Sequence, residues 1–137
     1  MTIDSIHNGI VIDHIPAGRS MELYRYLELE NTECSVAVLR NVSSSKLGKK
    51  DIIKIDEQLN LDWDILGYLA PGCTVNIIEH DELTRKIYPS LPERLTGVIR
   101  CRNPRCITTI EQGLEQVFLL SDRKKRVYRC MYCESKA

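Results

Sequence analysis

Hydrophobic side chains in the first two thirds of the chain follow two spacings, one typical of strands and one typical of helices. Runs rich in valine and isoleucine, bounded by proline, glycine or polar clusters, predict strands at residues 9–16, 35–42, 49–56, 73–79 and 83–88. Two other stretches, residues 20–27 and 61–69, repeat apolar residues at helical spacing. Ser20 is the expected N-cap of the first helix, and Asn60 or Asp62 that of the second.

The order of the first six elements is β-α-β-β-α-β. This order is the split βαβ pattern of ferredoxin-like domains. We therefore predict an α+β protein that begins with a ferredoxin-like domain, to which the strand at residues 83–88 is added.

Residues 89–94 contain two prolines three positions apart, which favour neither helix nor sheet and predict a semi-stiff hinge. Beyond the hinge, short apolar runs predict strands at residues 98–100, 107–109, 117–120 and 126–129. The expected organisation is a first domain at residues 1–90 and a small all-β domain at residues 91–137.

Charge divides the chain at nearly the same place. The 137 residues have a formal net charge of zero, but residues 1–93 carry 9 basic and 15 acidic side chains, against 10 and 4 in residues 94–137. The smaller domain is too short to fold on apolar burial alone, so we expect a metal ion to stabilise it.

The spacing of the cysteines predicts where the metal binds. Two close pairs of thiols are separated by a strand-rich insert, and they are Cys101, Cys106, Cys130 and Cys133. This pattern predicts one structural Zn²⁺ per chain, because a catalytic zinc keeps one position open for water. Asn103 and Pro104 favour the tight turn that directs the first pair at one point. Arg102, Arg105 and Arg129 adjoin the ligands and can offset the negative charge of the cluster.

The N-terminus shows no secretory signal, and no apolar run approaches the length of a membrane span, so a cytoplasmic location is expected. In a reducing compartment, paired cysteines more often hold metal than form disulfides. The remaining two, Cys34 and Cys73, are expected to be small buried hydrophobes in strands.

The first domain offers binding chemistry rather than catalysis. Lys54 and Lys86 lie on predicted strands and can converge with Asp13 or His14 on a phosphorylated ligand. A solvated lysine face is the simpler alternative. Asp13 and His14 are neighbours on a strand and should point to opposite faces, so they are not expected to act together.

Four runs of sequence, together with the cysteine pattern, resemble the regulatory chain of aspartate carbamoyltransferase. They are VIDHIPA (residues 11–17), GKKDIIKI (residues 48–55), AP followed by TVN (residues 70–76) and PSLPER (residues 89–94). The resemblance extends in order over nearly the whole chain. It implies a non-catalytic subunit with an N-terminal domain that binds nucleoside triphosphates such as CTP or ATP, and a zinc domain that docks on the catalytic chain.

The resemblance also implies that the first domain pairs with a second regulatory chain and that such dimers link catalytic trimers in pyrimidine biosynthesis. It places effector contacts at matching positions, which are Ile3, Ile6, Asp13, His14, Lys54, Asn76, Ile78 and Lys86. The chain departs from better-known members at Asp81 and Arg85, where an aromatic residue and a glycine are usual, and at Tyr88, where a basic residue is usual. These departures leave the identity of the effector open.

Parts of the sequence fit two other classes of function. A basic zinc ribbon can bind nucleic acid, with Arg100, Arg102, Arg105 and residues 123–126 as the footprint. Overall neutrality and the scarcity of aromatic residues near that run count against it. An enzyme in the ferredoxin-like domain is disfavoured because the sequence offers no nucleophile arrangement, open metal site or carboxylate pair.

Overall fold

The computed structural model describes residues 5–137, and the chain divides into a first unit that ends at Ser90 and a second unit, Leu91–Ala137. The first unit contains a five-stranded sheet of β1 (Gly9–Pro16), β2 (Val36–Ser44), β3 (Gly48–Ile55), β4 (Thr74–Glu79) and β5 (Glu82–Ile87). The strand order is β2-β3-β1-β4-β5, and every neighbouring pair is antiparallel.

This order confirms the predicted fold class. Strands β1 and β2 run parallel to each other but are separated by β3, which is the split βαβ arrangement. Strand β5 pairs with β4 and extends the sheet by one edge strand.

Two helices connect the strands, α1 (Ser20–Tyr26) and α2 (Trp63–Leu69). Asp62 caps α2 as predicted, because its carboxylate accepts hydrogen bonds from the backbone N–H groups of Asp64 and Ile65. The prediction for α1 is wrong. Ser20 is the first helical residue and is buried, and Arg19 precedes it at the cap position without a side-chain hydrogen bond.

The two faces of the sheet differ in burial. Cross-strand pairs such as Ile10 with Ile55 and Ile12 with Ile53 are almost fully buried, as is Leu66 of α2. Helix α1 contacts β2, β3 and α2. The apolar core therefore lies on this helix-covered face, and each large aliphatic side chain buried there stabilises the fold by about 1.5–3 kcal/mol. Alternate residues of the same strands point to the opposite face, which we call the open face.

The second unit has a three-stranded sheet with the order β6-β7-β8, formed by β6 (Arg94–Thr96), β7 (Val117–Asp122) and β8 (Val127–Cys130). A short helix, α3 (Ile107–Ile110), lies between the first two strands. Leu95, Val117 and Phe118 are at most 2% exposed and form the small core. The last two predicted strands, at residues 117–120 and 126–129, correspond to β7 and β8.

Two predictions for this unit are wrong. Residues 98–100 are not a strand, because Gly97 takes a positive φ of 72° and turns the chain away after β6. The strand is instead at Arg94–Thr96, so Arg94 belongs to the sheet and not to the hinge. Residues 107–109 are helical, because the Cys106 carbonyl accepts hydrogen bonds from the N–H groups of Thr109 and Ile110.

Cys73 is buried as predicted, but it lies just before β4 and not in it. Burial raises the pKa of its thiol to about 11, so the thiol is protonated and unreactive at neutral pH. Cys34 is only half-buried and lies in a bend, contrary to the prediction.

Among residues 5–137, no helix is long and apolar enough to cross a membrane.

Candidate metal centre and ligand-binding face

The four predicted cysteines of the second unit converge. Their sulfur atoms all lie within 4.8 Å of one another. The Cys101 and Cys133 sulfurs are 3.6 Å apart and the Cys106 and Cys130 sulfurs 3.7 Å apart. Four thiolates bound tetrahedrally to zinc at about 2.3 Å have edges of about 3.8 Å, so the cluster has the dimensions of a structural zinc site. Such a metal would join the loop that precedes β7 to the end of β8 and the turn that follows it.

Local turns set the direction of each sulfur. Three sulfurs accept a hydrogen bond from the backbone N–H two residues further on, Cys101 from Asn103, Cys106 from Thr108 and Cys133 from Ser135. These bonds favour the thiolate form that binds metal. As predicted, Asn103 shapes the first turn, since its side chain accepts from the Arg105 N–H at 3.0 Å and its carbonyl accepts from the Cys106 N–H at 3.1 Å.

The thiols differ in how readily they lose a proton. Hydrogen bonds from Ser135 lower the pKa of Cys133 to about 6, whereas burial raises the pKa of Cys101 to about 12. A divalent cation must displace the protons that remain, so metal binding here is coupled to proton release. Of the three arginines expected to offset the cluster charge, Arg129 donates to the Glu134 carbonyl at 3.0 Å and thereby braces the second turn.

Four residues of the open face form one row across the sheet. Lys54 pairs with Val11 in β1, Val11 pairs with Asn76 in β4, and Asn76 pairs with Lys86 in β5. Residues directly opposite each other in neighbouring strands point to the same face. Lys54, Asn76 and Lys86, three of the predicted site residues, are therefore brought together, with the two lysines three strand spacings, or about 14 Å, apart along the sheet.

The polar groups of this row lack ion-pair or hydrogen-bond partners among the described residues. Within residues 5–137, neither Lys54 nor Lys86 forms an ion pair with a carboxylate. The side-chain oxygen of Asn76 is buried and has no hydrogen-bond partner among the described residues. A buried amide without a partner costs free energy, so this position is suited to a polar ligand.

Asp13 lies one step along the same face and pairs with Lys50, whose Nζ is 2.9 Å from the Asp13 carboxylate. Partial burial raises the pKa of Asp13, but the hydrogen bonds from Lys50 and the His14 N–H, with the positive charge beside it, outweigh burial and lower the pKa. Sequence reasoning missed Lys50. The alternation of residues 50, 52 and 54 along one strand was the signal that places Lys50 on the face of Lys54.

The expectation that Asp13 and His14 point to opposite faces is wrong. The pairing of β1 with β3 shifts between Ile12 and Ile15, and His14 takes a positive φ of 57° at this bulge. The His14 ring lies 3.1 Å from the hydroxyl of Thr74, which is the cross-strand partner of Asp13. The bulge thus places both side chains on the open face.

A cavity of about 640 Å³ lies at the end of this face, lined by Ser5, Ile6, His7, Ser35, Val36, Ala37, Lys54 and Asp56. It brings the predicted contact Ile6 together with Lys54. The backbone N–H of Asp81 donates to the His7 carbonyl at 2.9 Å, which fastens this segment to the turn between β4 and β5. Ile78 also lies on the open face, opposite Gly9. Ile3 lies outside the described residues.

Comparison with known proteins assigns both parts of the chain. Residues 1–90 match the family described as "Aspartate carbamoyltransferase regulatory chain, allosteric domain", and residues 93–137 match its "metal binding domain". A regulatory chain from Clostridium tetani is 50% identical over 98% of this chain and 94% of its own length. One from Clostridium botulinum strain Hall is 47% identical over 98% and 92%. One from Bifidobacterium longum is 42% identical over 100% and 99%.

Proposed function

The chain belongs to the family of aspartate carbamoyltransferase regulatory chains, and from that premise we propose that its first unit binds nucleoside triphosphates such as CTP or ATP on the open face. It is a regulatory, non-catalytic chain of pyrimidine biosynthesis, with an allosteric domain and a metal-binding domain.

The observation that carries the effector site is the row from Lys54 through Val11 and Asn76 to Lys86. A polyphosphate needs several cationic donors, and two lysines that form no ion pair within residues 5–137 would provide them. The side-chain oxygen of Asn76, which has no partner among residues 5–137, and the backbone of Ser5 and Ile6 would offer hydrogen bonds to ribose or base. Asp13, His14, Ile6 and Ile78 border this row. Ile3, which lies outside the described residues, belongs to the same proposed set.

Titration calorimetry with CTP and ATP tests the effector site. Lys54→Ala or Lys86→Ala should each weaken binding by about tenfold or more, because each removes a charge-assisted hydrogen bond. Lys49→Ala is the matched control. It removes an exposed lysine from the same strand as Lys54 but from the other side of the sheet, and it should leave affinity unchanged. No heat with any nucleoside triphosphate, or equal losses in all three variants, would rule out this site.

The second unit is the proposed docking surface for the catalytic chain. Four large apolar side chains around the metal centre are 39–68% exposed, and they are Ile107, Ile110, Met131 and Tyr132. Exposed apolar residues grouped on a small domain are typical of a protein interface. The surplus of basic residues in this part of the chain would steer it towards an acidic partner surface. The metal stabilises the loops that present this surface and takes no part in a reaction.

Assembly with the catalytic chain is tested by sedimentation velocity. Ile110→Asp, at the most exposed of these positions, should abolish co-sedimentation while zinc content stays at one ion per chain. Ser121→Asp introduces the same acidic side chain, with the same change in charge, at an exposed polar position of β7 and should assemble normally. Sedimentation of the chain alone tests the accompanying proposal that two regulatory chains form a dimer that links catalytic trimers. Normal assembly of Ile110→Asp would contradict the docking surface.

A further inference from the structure

Tyr88 follows β5 directly and is 68% exposed. Its ring centroid lies 5.9 Å from Nζ of Lys86. This distance is within the range of cation–π attraction. Residues two apart in an extended chain lie on the same face, so Tyr88 stands beside the end of the row that contains Lys86.

The backbone around Tyr88 is fixed on both sides. Strand β5 pairs Ile87 with Val75 immediately before it. Pro89 restricts the preceding residue to extended conformations. Beyond Pro89, the backbone of Ser90 lies directly on α2, because a Cβ placed on Gly67 would be only 1.9 Å from the Ser90 carbonyl oxygen. The ring is therefore presented from a constrained segment.

The contact with Tyr88 leaves Lys86 able to bind a ligand. An ammonium group has three N–H donors and no acceptor. The face of an aromatic ring attracts the cation without occupying all of these donors. Lys86 has no carboxylate partner within residues 5–137, so the ring does not compete with a fixed anion.

We propose that Tyr88 is a positioning residue, which holds the flexible Lys86 side chain against the open face and so favours nucleotides whose phosphate chain reaches β5. The inference rests on the proposed function and deepens it. Without the ring, the lysine must lose side-chain freedom when it binds phosphate, and ordering a lysine side chain opposes binding. A nucleoside triphosphate gains from the ordered lysine, whereas a monophosphate held near Lys54 is too short to reach it.

The contact itself is tested by NMR on the ligand-free protein. Ring currents should shift the ε-methylene protons of Lys86 upfield in the wild type and in Tyr88→Phe, which keeps the ring. In Tyr88→Leu these protons should return to the values of an unstructured lysine. Identical Lys86 shifts in all three proteins would overturn the proposal, whatever nucleotide affinity is found.

The consequence for binding is tested by a double-mutant cycle in calorimetry. Tyr88→Leu should weaken triphosphate binding about two- to fivefold, the range expected for an exposed cation–π pair, and Tyr88→Phe should restore wild-type affinity. In a Lys86→Ala background, Tyr88→Leu should have no further effect. Nucleoside monophosphate binding should not respond to Tyr88→Leu.

The outcomes separate this proposal from the one it rests on. If the wild type binds triphosphates but Tyr88→Leu weakens binding equally with and without Lys86, the positioning role is wrong and the effector site stands. If the wild type binds no nucleotide, the effector site is wrong and the positioning role falls with it.

Discussion

Asp51 is a buried carboxylate that connects separate segments of the first unit. It is 0% exposed, and its carboxylate accepts hydrogen bonds from the backbone N–H groups of Gly18, Ser20 and Asn41 at 3.0–3.2 Å. Burial raises the pKa of Asp51, but the hydrogen bonds from Ser20, Asn41 and Gly18 outweigh it and lower the pKa below the ordinary value. One side chain thereby joins the start of α1 to Asn41 of β2, where the pairing of β2 with β3 shifts and the backbone takes a positive φ of 57°.

Asp51→Asn should destabilise the first unit by about 2–4 kcal/mol at pH 7, because an amide cannot accept all three bonds. The stabilisation from Asp51 is complete above the unfolded pKa of about 3.9 and is lost as the pH falls through the lower folded pKa. Urea unfolding followed by Trp63, the one tryptophan, reports on this unit. Asp56→Asn, exposed just after the same strand, is the control. Equal stability of the two variants would contradict this role.

Residue patterns predicted the site to different degrees. The four candidate zinc ligands were recognisable because close cysteine pairs have few other uses in a reducing compartment. Lys54 and Lys86 were candidates from their positions on predicted strands, and Asn76 from the resemblance alone. Their common row emerges only from strand register. The bulge at His14 was hidden, because no glycine or asparagine marks its positive φ.

Loss of one cysteine of the cluster should release the metal. Cys106→Ser should reduce zinc from one ion per chain to nearly none and unfold the second unit, since structural zinc supplies about 10–16 kcal/mol in small domains. Cys34→Ser, outside the cluster, should keep its zinc. Metal analysis after gel filtration, with amide NMR signals of β7 and β8, measures both effects. Retained zinc in Cys106→Ser would show that the cluster is not the metal site.

Among the elements, the first unit was predicted well and the second less well. Long alternating runs fixed the strands of the five-stranded sheet, whose pairing follows from the split βαβ order. In the second unit, backbone direction is set by glycine turns and by the cysteine loops rather than by periodicity. The apolar residues 98–100 and 107–109 therefore resemble strands without pairing in a sheet.

The close contact between Gly67 of helix α2 and the backbone of Ser90 can be tested by substitution. Gly67→Ala raises intrinsic helix propensity by about 1 kcal/mol, but the new methyl group would collide with the Ser90 carbonyl. We expect net destabilisation of about 1–3 kcal/mol, with displaced amide signals around Ser90. Asp64→Ala, on the exposed side of α2, should leave those signals in place. A stabilised Gly67→Ala protein would show that Ser90 is not seated on the helix.

At the scale of the whole molecule, we propose that the acidic first unit binds effectors and that the basic second unit docks on the catalytic chain. Within residues 5–137, the first offers two lysines that form no ion pair on an open sheet face, and the second offers exposed apolar side chains around the candidate metal centre. The nucleic-acid alternative was suggested by the basic second unit alone. Family membership replaces it, because both units together match a regulatory chain.

The most direct test is the carbamoyltransferase rate of the catalytic chain reconstituted with this protein, measured against CTP and ATP concentration. The catalytic chain alone should not respond to nucleotide, and the complex should respond. A complex with the double variant Lys54→Ala/Lys86→Ala should assemble fully but lose the response, whereas Lys49→Ala should keep it. An unchanged nucleotide response in the double variant, or the absence of any complex with the wild-type chain, would contradict the account.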